Sequence, residues 1–118
     1  MNQQAAKQWV DALRSGEYTQ GRNYLRKGAY FCALGVLCDA VSPKGWRKDG
    51  FGRWAHEGQA TGLSKLLALK LGMQDVPEDT FYPYHPKIEG AAVCIINDVR
   101  ASTFEEIADL IEKHWETI

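Results

Sequence analysis

The sequence predicts a single α+β domain over residues 1–118, with helices packed on a short antiparallel hairpin or small sheet. A chain of 118 residues that is 45% hydrophobic fits one domain with a modest core. Helical hydrophobic patterns occupy both ends of the chain. Glycine and aromatic residues at turn-like spacing follow the first helical pattern, which favours short strands there.

The first half of the chain predicts a helix, a hairpin and a second helix. Residues 2–15 carry apolar side chains at helical spacing and are followed by Gly16. Residues 17–31 predict a loop and then a short hairpin that turns near Lys27 and Gly28. The segment AYFCALGVLCDAV contains a predicted buried helix over residues 33–41, which ends before Pro43.

The second half is predicted to be less regular until its final helix. Residues 42–60 are rich in glycine, charge and tryptophan and predict a long irregular segment. Residues 62–72 predict a short helix, and residues 76–90 an extended connector with three prolines. The run AAVCIIND suits either a buried strand or a short buried helix. The last helix begins with a capping box, either Ser102 with Glu105 or Thr103 with Glu106. Its apolar stripe is Phe104, Ile107, Ala108, Ile111 and Trp115.

Composition argues against several classes of protein. The net charge of −1 gives no reason to expect bulk nucleic-acid binding, and no apolar run reaches the length of a membrane span. The N-terminal segment MNQQAAKQW lacks the apolar stretch of a signal peptide, so we expect a cytoplasmic protein with reduced thiols. Three cysteines and three histidines show no zinc spacing, and we expect neither metal nor cofactor.

Positive charge is concentrated in the first half of the chain. Residues 1–56 hold nine Lys and Arg against four Asp and Glu, whereas residues 57–118 hold five against eleven. Attraction between the two halves would explain this split, and so would a patch that binds an anionic ligand. Aromatic residues interleave with the cations, a pattern that can form a stacking surface for a planar anion, although the tryptophans could equally fold onto the core. The candidate ligand-binding residues are Arg22, Tyr24, Arg26, Asp39, Trp46, Arg47, Lys48, Arg53 and Trp54.

A cysteine nucleophile is the enzymatic alternative. Cys32 stands at the predicted start of a helix, where the helix dipole lowers the pKa of a thiol. His56 or His85 is a candidate base, and Asn97 or Asp98 is a candidate orienting group. The buried character of the run favours a structural Cys32. We therefore expect a binding protein in preference to a hydrolase or transferase.

Two other polar positions have structural interpretations. Asp39 lies in an apolar helix, and an arginine from residues 22–26 is its expected partner. Alternatively, Asp39 lines a pocket and accepts a hydrogen bond from a ligand. Asn97 and Asp98 together suit a turn in which each side chain bonds its own backbone.

Three segments together resemble a family of small phage and prophage proteins: WVDALRSGEYTQGRNYL, FCALGVLCDA and INDVRASTFEEIADLIEKH. Members share ALRSGxYxQG, CxLGVLCD and NDxxxxSFxEIADxIE motifs, and the resemblance covers residues 9–41 and 94–114. This chain has Phe31 where members often have an extra cysteine, and Thr103 where they have serine.

The resemblance implies an accessory protein acting in the host cytoplasm. Such proteins often antagonise host defence, either by sequestering a nucleotide signal, usually as homo-oligomers, or by binding a host protein. We expect the first, a small anionic ligand that is nucleotide-like. Direct inhibition of a host protein, through the acidic face of the last helix or the tryptophan-rich loop, is the alternative.

Overall fold

The computed structural model describes residues 1–73, 80–81, 97 and 102–118, and it confirms the predicted α+β fold class. Short strands form one three-stranded and two two-stranded sheets within these residues. The α-helices in these ranges are α1 (Gln3–Arg14), α2 (Ala33–Val41), α3 (Lys65–Lys70) and α4 (Phe104–His114). The strands are β1 (Thr19–Gln20), β2 (Arg26–Lys27), β3 (Tyr30–Phe31), β4 (Trp46–Lys48), β5 (Trp54–His56), β6 (Leu63–Ser64) and β7 (Thr80–Phe81). Two 3-10 turns occupy Pro43–Gly45 and Trp115–Thr117.

Helix α1 is the amphipathic helix that the sequence predicts. Its first turn is capped by Asn2, whose side chain accepts a hydrogen bond from the Ala5 amide at 2.8 Å. The apolar stripe of α1 packs against α2 and α4. Trp9 is fully buried and donates its indole N–H to the Ala33 carbonyl at 2.9 Å, which ties α1 to the start of α2.

Helix α2 has the predicted bounds and lies in the core. Cys32 caps it, because its Sγ accepts a hydrogen bond from the Gly35 amide at 3.4 Å. Gly35 allows the backbone of Leu25 to approach closely: a Cβ at position 35 would lie 1.7 Å from the Leu25 carbonyl oxygen. The stretch before β2 is therefore held directly against α2.

The hairpin predicted around Lys27 and Gly28 is also present. Strands β2 and β3 pair antiparallel, and Gly28 between them has a φ of +61°. Strand β1 adds to the other side of β3 in parallel.

The prediction of an irregular segment over residues 42–60 is wrong. Strands β4 and β5 pair antiparallel within it and form a second hairpin. The predicted helix over 62–72 is shorter than expected, since β6 occupies its beginning and pairs with β7. Leu66 on α3 is exposed, whereas Leu63, Leu67 and Leu71 are buried.

Helix α4 begins at the second of the two predicted capping boxes. The Thr103 side chain accepts from the Glu106 amide, and the Glu106 carboxylate accepts from the Thr103 amide. The outer face of α4 is not a free acidic surface. Arg14 of α1 forms ion pairs there with three carboxylates, those of Glu105, Asp109 and Glu112.

Some predictions lie outside the described residues. These are the connector over 76–90, apart from residues 80–81, and the apolar run over 91–96, together with the candidate residues His85 and Asp98. Within the ranges that are described, no helix has both the length and the hydrophobicity needed to cross a membrane.

Candidate functional site: a basic and aromatic cleft

A cleft of about 670 Å³ opens between strand β2 and the β4–β5 hairpin. This volume lies within the ~300–1,000 Å³ typical of small-molecule sites. Six of the nine predicted ligand-binding residues line the cleft: Tyr24, Arg26, Arg47, Lys48, Arg53 and Trp54. Seven other residues complete the lining: Lys27, Gly28, Asp49, Phe51, Gly52, Ala55 and Ala60.

Asp49 shapes the loop at the tip of the β4–β5 hairpin. Its Oδ1 accepts hydrogen bonds from the amides of Phe51 and Arg53, both at 2.8 Å. Its Oδ2 accepts from the Arg53 guanidinium at 2.8 Å. The Arg53 amide, followed by the Phe51 amide and the Arg53 side chain, lowers the pKa of the Asp49 carboxyl. The one carboxylate in the cleft lining is thus already occupied within its own loop.

Trp46 anchors the hairpin to the core and does not offer a stacking surface to the cleft. It is only 7% exposed, and its indole N–H donates to Asp39 Oδ1 at 3.1 Å. Tyr18 donates its hydroxyl to Asp39 Oδ2 at 2.7 Å. Burial, followed by this hydrogen bond to a carboxylate, raises the pKa of Tyr18. The prediction that an arginine from residues 22–26 pairs with Asp39 is therefore wrong. Tyr18 and Trp46 donate hydrogen bonds to its two carboxylate oxygens instead.

A row of aromatic rings supports the inner wall of the cleft. Phe31 packs edge-to-face against Trp46 with ring centroids 6.0 Å apart, and Trp46 packs in the same way against Trp54 at 6.4 Å. Arg26 lies over this row, with its guanidinium carbon 3.8 Å from the Trp54 ring centroid. Lys48 stands directly opposite Trp54 in the strand register, and its ammonium is 5.6 Å from the same centroid.

Four of the five cationic side chains that line the cleft form no ion pair with another described residue. Among the described residues, Arg53 is the one cleft cation that forms an ion pair, and its partner is Asp49. The other four have no carboxylate within ion-pair distance in that part of the chain; they are Arg26, Lys27, Arg47 and Lys48. Arg47 donates to the carbonyls of Lys44 at 3.0 Å and Trp46 at 2.8 Å, which fixes its guanidinium.

Two aromatic rings remain accessible at the cleft. Phe51 at the tip of the hairpin loop is 86% exposed, and Tyr24 before β2 is 49% exposed. Exposed rings of this size beside cations can stack on a planar ligand. The cleft therefore combines flat apolar surfaces with unneutralised positive charge.

Three of the predicted ligand-binding residues lie outside the cleft lining. Trp46 and Asp39 hold the hairpin against α2, as described above. Arg22 donates a hydrogen bond to the main-chain carbonyl of Asn97. These residues support the fold around the cleft.

The candidate catalytic residues have structural partners. Cys32 is buried and caps α2. His56 is 1% exposed, and its Nε2 hydrogen-bonds the Ser42 carbonyl at 2.7 Å, while Nδ1 has no hydrogen-bond partner among the described residues. A base must reach the thiol directly or through one water, and neither ring nitrogen of His56 bonds the sulfur of Cys32.

Asn97 is buried and connects distant segments of the chain, while Asp98, its partner in the predicted turn, lies outside the described residues. Its Oδ1 accepts from the Gln20 side chain at 2.8 Å and from the Ala33 amide at 3.2 Å. Its Nδ2 donates to the Gly21 carbonyl at 2.9 Å. Asn97 thereby links β1 to the first turn of α2. No group of three or more potential metal ligands occurs among the described residues.

Lys27 and Phe51 are the cation and the exposed aromatic ring of the cleft that the sequence interpretation omitted from its site. Lys27 follows Arg26 in β2, and neighbouring residues in a strand are expected to point to opposite faces. The adjoining turn at Gly28 brings both to the cleft. Phe51 follows Asp49 in the pattern DGFGR, where a side-chain-stabilised turn could have been recognised.

Comparison with known proteins gives one family match. Residues 1–66 match the family model described as "Domain of unknown function (DUF8296)". Every cleft residue lies within the matched segment. Neither the curated proteins nor the solved structures gave a match.

Proposed function

The chain belongs to the DUF8296 family, and we propose that it is a binding protein that holds a small, planar, anionic ligand of nucleotide type in the cleft. One observation carries this proposal: four cations without a carboxylate partner among the described residues line the same cleft as two exposed aromatic rings. Cations supply charge-assisted hydrogen bonds to phosphate, and exposed rings supply stacking for a base.

The phage-like motifs support a biological role for this binding. We propose that the protein is a phage-type accessory protein that sequesters a nucleotide signal in the host cytoplasm and thereby antagonises host defence. Homo-oligomerisation belongs to this proposal, and light scattering of the purified protein tests it. Expression in a host with a nucleotide-signalling defence is expected to restore phage plating, whereas a variant with Arg47→Gln and Lys48→Gln should not.

The first experiment is identification of a ligand that copurifies with the protein. Heat denaturation followed by mass spectrometry of the released small molecules is expected to detect a phosphorylated base-containing compound. Calorimetry against a panel of nucleotides and cyclic dinucleotides then measures the affinity. Absence of binding to the whole panel, with no released ligand, would overturn the proposal.

Inhibition of a host protein is the second candidate, and the exposure of Phe51 is the observation that favours it. An 86% exposed aromatic ring at a loop tip is a suitable anchor for a protein partner. The acidic face of α4 gives this candidate less support, because three of its carboxylates already bind Arg14. Pull-down from host lysate with wild type and Phe51→Ala separates the two candidates.

A further inference from the structure

We infer that the ligand of the cleft is a nucleotide with two or more phosphoryl groups, such as a nucleoside diphosphate or triphosphate. This inference rests on the proposed function and specifies its ligand class. It comes from the charge of the cleft and the positions of its accessible rings.

The charge in the cleft exceeds what one phosphate group would balance. Five cations line it, and Asp49 is occupied by Arg53 and by two loop amides. The ammonium groups of Lys27 and Lys48 lie near aromatic rings, 6.0 Å from the Tyr24 centroid and 5.6 Å from the Trp54 centroid, and neither forms an ion pair among the described residues. Like charges held close together repel one another, and a ligand that carries about three or four negative charges relieves that repulsion most fully.

Two of the cations are held in place before a ligand binds. The Arg47 guanidinium is fixed by two main-chain carbonyls, and the Arg26 guanidinium is stacked on Trp54. A guanidinium binds phosphate oxygens through paired N–H groups, and a fixed one loses little conformational entropy on binding. Lys27 and Lys48 lie on different strands, β2 and β4, so the cations contact the ligand from both walls of the cleft. Cations on both walls can contact a chain of phosphates from either side, and such a chain presents more oxygens to them than one phosphate does.

The rings determine where a base can stack. Trp54 is covered by Arg26 and Trp46 is buried, so Tyr24 and Phe51 are the cleft rings available for stacking. Because both are exposed, stacking on them contributes less than it would in a closed pocket. We therefore expect the phosphates to dominate the affinity and the base to add a smaller part.

The test is calorimetry with adenosine, its mono-, di- and triphosphate, the guanosine series, and inorganic tripolyphosphate. Affinity is expected to rise about fivefold to tenfold with each added phosphate at low salt, and these steps should shrink at about 0.5 M salt because of screening. Tripolyphosphate should bind more weakly than either nucleoside triphosphate. A double variant, Lys27→Gln with Lys48→Gln, should lower the affinity for the triphosphate more than that for the monophosphate. Lys65→Gln with Lys70→Gln on α3, outside the cleft, removes the same two charges and is the matched control, which should change neither affinity.

Equal affinities for monophosphate and triphosphate would overturn this inference and leave the proposed function standing. Equal affinities for tripolyphosphate and the nucleoside triphosphates would overturn the inference that the base contributes to the affinity. Failure of every nucleotide and of tripolyphosphate to bind would overturn the proposed function itself. Circular dichroism of each variant shows whether a loss of binding reflects a loss of fold.

Discussion

The guanidinium of Arg26 lies over the indole ring of Trp54, with its central carbon 3.8 Å from the ring centroid. This contact joins the two walls of the cleft, since Arg26 belongs to β2 and Trp54 to β5. A guanidinium in this position can stay stacked on the ring while its N–H groups bind a phosphate that enters the cleft. Replacing it should therefore change both the surroundings of Trp54 and the affinity for anions.

Arg26→Met is expected to weaken nucleotide binding about tenfold while retaining much of the side-chain packing on Trp54. Loss of the cation removes a charge-assisted contact to phosphate. Calorimetry measures the affinity, and tryptophan fluorescence reports the environment of the ring. Arg26→Lys is the control and should retain part of the affinity. Unchanged binding in the methionine variant would show that Arg26 does not contact the ligand.

Asp49→Ala is expected to disorder the hairpin loop and weaken ligand binding, because two amides lose their acceptor. Asp49→Asn keeps a side-chain oxygen for these amides and should retain most of the binding. Equal binding by wild type and the alanine variant would contradict this role of the loop.

The lowered pKa of Asp49 also predicts the direction of a pH effect. The pKa of Asp49 in the folded protein lies below the ordinary aspartate value of 3.8, so Asp49 adds stability above that value. This contribution disappears as the pH falls through the folded pKa. Comparison of acid unfolding of wild type and Asp49→Asn isolates the effect, and identical curves would argue against it.

Gly35→Ala is expected to destabilise the fold by about 2–4 kcal/mol, because the new Cβ would overlap the Leu25 carbonyl oxygen. Chemical denaturation measures the change in the free energy of unfolding. Gly50→Ala is the matched control, since a Cβ there has no atom within 4 Å. A stable Gly35→Ala protein would show that the close approach of Leu25 to α2 is not required.

Cys38 is expected to resist thiol reagents in the native protein. It is fully buried, and burial raises the pKa of its thiol above the ordinary cysteine value of 9.0. A raised folded pKa means that its stabilising contribution is present below pH 9 and is lost as the pH rises further. Labelling of the Cys38→Ala variant beside wild type identifies the site by difference. Rapid modification of native Cys38 would contradict its burial.

The helices and the first hairpin could be predicted from the sequence, because their signals are local. Residues 33–41 form an apolar run that ends before a proline, and the helix has those bounds. The hairpin turn requires a residue with a positive φ, and Gly28 provides it. The apolar residues at helical spacing in residues 2–15 likewise form the buried face of α1.

The second hairpin and the polar anchors could not be predicted in the same way. Strands β4 and β5 have only three residues each, too few for an alternating pattern to be recognised among so many charges. The hydrogen-bond partners of Asp39 are Tyr18, in a loop, and Trp46, on β4. Only the folded chain brings these two residues to the Asp39 carboxylate. Leu66 has the helical spacing of the neighbouring leucines, but α3 begins only at Lys65 and the Leu66 side chain is exposed.

The most direct test of the central claim is an NMR titration of the ¹⁵N-labelled protein with a nucleoside triphosphate. If the cleft is the binding site, amide shift changes will concentrate in residues 24–28 and 47–55 and be lost in the Lys27→Gln, Lys48→Gln variant. Shift changes confined to α1 and α4, or no changes at millimolar ligand, would contradict the claim that this cleft binds an anionic ligand.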